Sequence, residues 1–273
     1  MLLGSDNTHK LITIMKQSHP VVVEVLREKA KHALSFEDGK GYDEKMANAY
    51  SRTVADIDKL GSKMVILEVG CFTGIVSASL SRLGHAVTGS DIPFVLKDEA
   101  NLQFLIAEGV KPLPQDLAAC SFDLPSESFD LIVFNEVLEH LNFNPIPLLR
   151  EFHRLLKPDG LVYCATPNLS RIHARIKFVR GRSHANPVSD LIRNLQPETG
   201  MAVGLHWREW TKKELIELFS VSGFSIVEHH YDQVAPNISP FPRKQMISAM
   251  YKFFPAFCSH QVGVFKKEET MRK

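Results

Sequence analysis

The chain has only four cysteines in 273 residues, and no two of Cys71, Cys120, Cys164 and Cys258 share a Cys-x-x-Cys spacing. A structural zinc site has no ligand pattern to rest on. No metal is expected, and a reducing, cytoplasmic setting is the natural reading. Cys164 falls in an apolar stretch and should pack as a small hydrophobe. The net charge is only +1, from 32 Lys and Arg against 31 Asp and Glu, so no global field draws nucleic acid. No run approaches the roughly 18–20 apolar residues of a membrane-spanning helix. The first residues lack a basic segment followed by an apolar stretch and a small-residue cleavage site, so no secretion signal is expected. Repeats and low-complexity tracts are missing as well.

What the chain has is a 44% hydrophobic content, which suits one large α/β domain with additions. Residues 10–60 read as a helical lead-in, with helices over Val21–Leu34 and Asn48–Leu60, that packs over the edge of a sheet. From Met64 onward strand and helix patterns alternate. Strands are expected at 64–69, 86–90, 110–114, 130–134, 161–165, 224–229 and 261–265, and helices at 74–83, 98–108, 145–156, 211–222 and 244–254. Lys157-Pro158-Asp159-Gly160 stops one helix and turns the chain into the fifth strand. Thr211-x-x-Glu214 is a capping box, and Gly223 ends the helix that it opens. Such alternation predicts a Rossmann-like, seven-stranded and mostly parallel sheet with helices on both faces. An antiparallel final pair is the expected exception. The domain organisation expected is a lead-in over 1–60 and a nucleotide-binding domain over 61–273, with an inserted cap at about 169–207.

The densest information lies in Val65 to Gly74. An apolar run ends in Glu68 and opens into a turn bounded by Gly70 and Gly74. A helical stretch and a second strand follow, ending in Asp91. Glycines permit the tight turn and close approach to a ligand, and an acidic residue at the second strand's end can accept both hydroxyls of a ribose. A nicotinamide-dependent enzyme would begin in the same way. Its Gly-x-Gly-x-x-Gly fingerprint, however, needs glycine where Phe72 and Ile75 stand. None of the five tyrosines has a lysine four positions later, as the short-chain reductase pair requires.

The later features come in a definite order: Asp116 after a third short strand, then Phe129 to Phe134, Asn135-Glu136-Val137-Leu138-Glu139-His140, Leu155 to Gly160, Thr166-Pro167-Asn168 and His206-Trp207-Arg208-Glu209-Trp210. Over about residues 60–230 the sequence resembles the class I S-adenosylmethionine (SAM)-dependent methyltransferases. The branch that includes ubiquinone-type O-methyltransferases and many small-molecule or glycan methyltransferases is the most similar. The resemblance implies SAM as cofactor. Glu68 would attract its ammonium, and Gly70, Cys71, Thr73 and Gly74 would form the loop under the ribose and methionine chain. Asp91 would hold the ribose hydroxyls with Ile92 against the adenine. Asp116 would accept the adenine amine with Leu117 at the ring's edge. Asn135 and Glu136 would line the methyl-donor pocket. Carboxylates suit each polar group of such a ligand. The family's usual middle glycine is replaced by Phe72.

A hydroxyl acceptor must lose a proton, and histidine is the natural base near neutral pH. His140, after the fourth strand, and His206, at the end of the cap, are the candidates. Asn168 is expected to orient the acceptor or simply to make the turn. The basic stretch Arg171 to Arg182 has three readings: a solvated helix face, a surface for an acidic or lipid-linked acceptor, or a peripheral contact with an anionic membrane. The activity implied is methyl transfer to a hydroxyl of a glycan, lipid-linked or secondary-metabolite substrate. The alternative is a non-catalytic SAM-fold protein that acts as a partner or regulator.

Overall fold

A computed structural model of the chain describes residues 18–32, 42–194, 204–234 and 242–269. Its strands are β1 (Val65–Val69), β2 (Ala86–Asp91), β3 (Lys111–Pro114), β4 (Phe129–Asn135), β5 (Leu156–Pro167), β6 (Phe224–Asp232) and β7 (His260–Lys267). They form one sheet in the order β3-β2-β1-β4-β5-β7-β6. Helices α1 (Pro20–Lys29) and α2 (Tyr42–Leu60) precede β1, and α3 (Ile75–Arg82) joins β1 to β2. Helices α4 (Pro93–Leu96) and α5 (Glu99–Ala107) lead to β3, and α6 (Ile146–Leu155) leads to β5. Helices α7 (Ile172–Val179), α8 (Val188–Asn194) and α9 (Lys212–Ser220) lie between β5 and β6, and α10 (Arg243–Phe253) lies between β6 and β7. All seven expected strands are present. The chain divides into two compact units, the first ending at Asp116 but including Val234, the second beginning at Leu117.

In the first unit β1 pairs in parallel with β2, and β2 with β3. Ile66, Leu67 and Val69 are buried without exposure. A parallel strand covered on both faces reads as a continuous apolar run rather than an alternating one. Helix α3 is buried from Ile75 through Leu80, so it needs cover on more than one side. The lead-in supplies that cover: α1 and α2 pack on α3 with Val22, Val25, Ala47, Val54 and Ile57 inward. This corrects the expectation that the lead-in packs over the sheet edge. Helix α2 also starts at Tyr42 rather than Asn48, with Asp43 and Glu44 in its first turn, where carboxylates favour the helix N-terminus.

In the second unit β4 and β5 are parallel, while β7 runs antiparallel to both β5 and β6. Helix α6 ends at Leu155 and the chain enters β5 at once. The Lys157–Gly160 segment is a bulge inside that strand rather than a turn before it, because the register shifts between Phe129 and Leu131 of β4. Asp159 takes the left-handed conformation there, at φ 64. Helix α9 has both halves of its capping box, Thr211 and Glu214. Two helices, α7 and α8, form within the segment expected to be a cap, and residues 195–203 of it lie outside the described residues. Phe265 of β7 stacks on Phe219 of α9 at 3.8 Å with the rings 5° apart.

That stack explains a glycine two residues away. A Cβ on Gly263 would sit 2.4 Å from the Phe265 ring, which is itself fully buried. Gly263→Ala should therefore lower stability by about 1–3 kcal/mol, the usual cost of overpacking a core. Urea unfolding with an unchanged midpoint would refute this packing account.

Candidate active site

The first unit carries the turn after β1. Gly70 and Gly74 have φ of 80 and 82, and Phe72 has φ 46. That region costs a bulky residue roughly 1–2 kcal/mol, so something else must hold the turn. The N–H groups of Gly70 and Cys71 donate to the Ser90 carbonyl at 2.8 and 3.0 Å, and Gly74 N–H donates to Cys71 O at 2.7 Å. Asp91 completes the closure: Oδ2 accepts Phe72 N–H and Oδ1 accepts Ile92 N–H, each at 2.7 Å. Burial raises the Asp91 pKa, and these two hydrogen bonds pull it back. Each oxygen takes a single N–H, and a carboxylate oxygen can accept more than one.

The lead-in clamps the turn from outside. The Phe72 ring meets Tyr42 edge to face at 5.2 Å. Thr73 Oγ1 donates to Asp43 Oδ1 at 2.6 Å, and Tyr50 donates to the same oxygen at 3.1 Å. Asn101 Nδ2 donates to Phe72 O at 2.9 Å while its Oδ1 accepts from Lys29 Nζ at 2.6 Å. Cys71 is buried, and burial pushes its thiol well above the usual range, so it is inert as a nucleophile. Glu68 is buried against α3, where Ser77 Oγ donates to it. Burial raises its pKa to about 8, against the Ser77 hydrogen bonds that lower it. With no cation beside it the carboxyl is mostly neutral at pH 7, and an ammonium placed there would favour its ionised form. Asp116 is exposed after β3, and Gln115 N–H ties that strand end to Asp91 O at 2.8 Å.

The second unit carries the groups that can move a proton. Leu117 opens a short 3-10 turn to Ala119. Asn135 closes β4 with Oδ1 on Ala165 N–H at 3.1 Å. Glu136 follows at φ 53, in left-handed backbone that few non-glycine residues adopt. Its Oε2 lies 3.3 Å from His260 Nε2. Glu139 has no exposure; Thr166 donates to its Oε2 at 2.9 Å. Burial, and then the charge of Glu136, raise its pKa well above the carboxylate range. His140 Nδ1 is 3.1 Å from Leu205 O. A carbonyl only accepts, so this contact assigns the proton to Nδ1 and leaves Nε2 bare. Burial, and then the charge of His206, lower the His140 pKa, so its ring is neutral at pH 7.

His206 is arranged similarly but with a charge behind it. Its Nδ1 lies 3.1 Å from Glu209 Oε1, and Arg171 donates to both oxygens of that glutamate. Burial would raise the Glu209 pKa, but the His206 and Arg171 hydrogen bonds and the Arg171 charge bring it down to about 2. The His140 and His206 rings meet edge to face at 4.9 Å. One ligand atom each from Glu139, His140 and His206 lies within 4.8 Å of the others. Carboxylate and bare imidazole nitrogens are the donor set of a transition-metal site, so this trio can hold a divalent cation where the sequence shows no metal motif.

Of the two roles expected for Asn168, the structure shows the turn-making one. The residue is fully buried, Nδ2 donates to Ala256 O and Cys258 O at 2.9 Å, and Oδ1 accepts Ser170 N–H at 2.9 Å. Its side chain ties loops together, with both amide hydrogens used on backbone carbonyls. Sequence reasoning missed Tyr42, Asp43, Glu139, Arg171, Glu209 and His260 as parts of these arrangements. Glu139 and Glu209 carried a local signal, the first next to His140 and the second three residues after His206.

A family model described as a methyltransferase domain matches residues 42–229. The ubiquinone biosynthesis O-methyltransferase of Actinobacillus pleuropneumoniae is 32% identical over 107 residues, 38% of this chain and 45% of that protein. The chain thus matches less than half the length of such curated relatives. Among solved structures, the 1,6-didemethyltoxoflavin-N1-methyltransferase of Burkholderia thailandensis, with bound 1,6-didemethyltoxoflavin and S-adenosylhomocysteine, aligns with a TM-score of 0.56 and 21% identity over 90% of this chain and 88% of that one. The [4+2]-cyclase SpnF aligns with a TM-score of 0.54 and 17% identity over 91% of this chain and 93% of that one. At these identities the two structures establish the fold alone.

The arrangement around Glu209 has a pH signature. Its folded pKa of about 2 lies below the ordinary 4.5. Its ionised form therefore stabilises the fold above about pH 4.5, and that contribution is lost as pH falls towards about 2. Glu209→Gln should be less stable than the native chain at neutral pH, with the gap closing as the solution is acidified. Urea unfolding at stepped pH checks this, and a gap independent of pH would contradict it.

Proposed function

The chain belongs to the methyltransferase-domain family, the class I SAM-dependent methyltransferases, and from that premise we propose that it methylates a hydroxyl of a small-molecule acceptor. The observation that carries this reading is the pair His140 and His206, whose Nδ1 atoms are held by Leu205 O and Glu209 Oε1 and whose rings meet edge to face at 4.9 Å. Bound SAM supplies an electrophilic methyl carbon on a sulfonium. The chain's own part is to hold the donor, orient the hydroxyl and take its proton. Asp91 is the group that would hold the ribose, since both its oxygens keep lone pairs beyond the N–H bonds that fix them. Phe72 is engaged with Tyr42, which supports a donor loop that tolerates the missing glycine.

His206 is the better base. The ionised Glu209 fixes its tautomer, and an anion behind Nδ1–H stabilises the imidazolium that forms when Nε2 takes the hydroxyl proton. Glu209 is then a positioning residue, itself held by Arg171. His140, backed by a neutral carbonyl, lacks that support. A lipid-linked acceptor is favoured by the kinship with ubiquinone biosynthesis O-methyltransferases, and glycans and secondary metabolites are the wider class. The competing reading, a SAM-fold protein without methyl transfer, draws on the fold shared with a cyclase.

Calorimetric titration with SAM, and separately with NADH, is the direct test. Saturable SAM binding is expected without NADH binding, and Asp91→Ala should weaken SAM by about tenfold or more, roughly 1.4 kcal/mol. A folded protein that takes no SAM would sink the reading. With hydroxylated lipids and acidic glycans as acceptors, His206→Asn should cut kcat about a hundredfold or more while leaving SAM affinity unchanged. Activity that survives this change but is abolished by a chelator would make the imidazoles cation ligands instead of bases.

A further inference from the structure

Two helices of the second unit are barely packed. Ala174 is the only buried residue of α7, and none of the described side chains of α10 is buried. They meet at one place. A 3-10 turn, Pro255–Phe257, directly follows α10 and contacts both helices. The Arg175 guanidinium of α7 lies 5.3 Å over the Phe257 ring, and Phe254 stacks on Phe257 at 5.3 Å. The two helices and the turn therefore form one continuous surface.

That surface combines two features. Phe178, Val179, Met246, Phe253 and Phe254 are all more than half exposed, with Val179 at 90% and Phe253 at 74%. The charge is of one sign. The segments Ile172–Arg182 and Arg243–Phe254 hold seven Lys and Arg and not one of the chain's 31 Asp and Glu, although the chain as a whole is nearly balanced. Bare aromatic and aliphatic side chains interleaved with long basic arms are suited to a bilayer interface. The apolar groups enter at the headgroup level while Lys and Arg reach the phosphates. Anionic lipid is the complement of an acid-free basic surface. No helix among the described residues is long and apolar enough to cross a membrane, so the contact is peripheral.

We propose that α7, α10 and the 3-10 turn after α10 form a docking surface for an anionic lipid bilayer. The inference stands on exposure and charge and does not depend on methyl transfer. Co-sedimentation of the full chain with vesicles tests it, comparing pure phosphatidylcholine with equal parts phosphatidylcholine and phosphatidylglycerol. Binding is expected only to the mixed vesicles. Phe178→Glu combined with Phe253→Glu should weaken it about tenfold or more, with the thermal midpoint unchanged because both side chains are exposed. A second variant, Arg180→Gln with Arg182→Gln, should also weaken it. No pelleting with the mixed vesicles would overturn the proposal and leave the surface to a protein partner. Equal pelleting with pure phosphatidylcholine, or binding unaffected by the glutamate pair, would overturn it as well.

Discussion

One buried carboxylate holds the front of this fold in a shape that its sequence does not favour. Phe72 occupies left-handed backbone, and the β1–α3 turn cannot close unless that residue's N–H finds an acceptor. Asp91, at the tip of β2, accepts it and accepts Ile92 N–H with its other oxygen. These two hydrogen bonds act against a backbone strain of roughly 1–2 kcal/mol at Phe72. One side chain thus ties the glycine-bounded turn to the end of β2. A residue expected to bind a ligand also builds the loop that would receive it.

The lead-in shares this task. Tyr42 and Asp43 begin α2, and through them the helix reaches Phe72 and Thr73. Where most family members have a glycine, this chain has an aromatic ring and also provides a second ring to pack it. The substitution and the helix start belong together, so the departure from the family pattern is accommodated outside the turn itself.

The strands were legible in the sequence because burial on both faces forces a continuous apolar run, and Gly, Pro and Asp mark its ends. Asp91 was legible for a related reason: an acidic residue at a strand tip is conspicuous against such a run. The start of α2 was not, since Tyr42 to Lys45 is polar and holds no apolar stripe. The Lys157–Gly160 segment has the composition of a turn, and only strand pairing distinguishes a bulge from one. Arg171 and Glu209 lie 38 residues apart, and no local pattern joins a basic stretch to a distant acidic residue. Asn168 was left between two roles because the same side chain that could orient a ligand also satisfies three backbone groups, and sequence alone does not separate those uses.

Three glutamates show why residue type is a weak guide to charge in this chain. Glu68 meets a serine hydroxyl in an apolar setting and is mostly neutral at pH 7. Glu139 is buried beside another carboxylate, and both effects push its pKa well above the usual range. Glu209 is also withdrawn from water but meets a guanidinium and an imidazole, and it stays ionised down to about pH 2. Desolvation acts on all three in the same direction, so the partner decides the outcome. A neutral carbonyl can hold an imidazole in one tautomer, but a charge that persists also steadies the ring as it accepts a proton. On the proposed reading this favours His206 over His140 as the base. It also gives Arg171 a purpose apart from the basic residues that follow it: its charge is spent on Glu209, while those of Arg180 and Arg182 face outward with Phe178 and Val179.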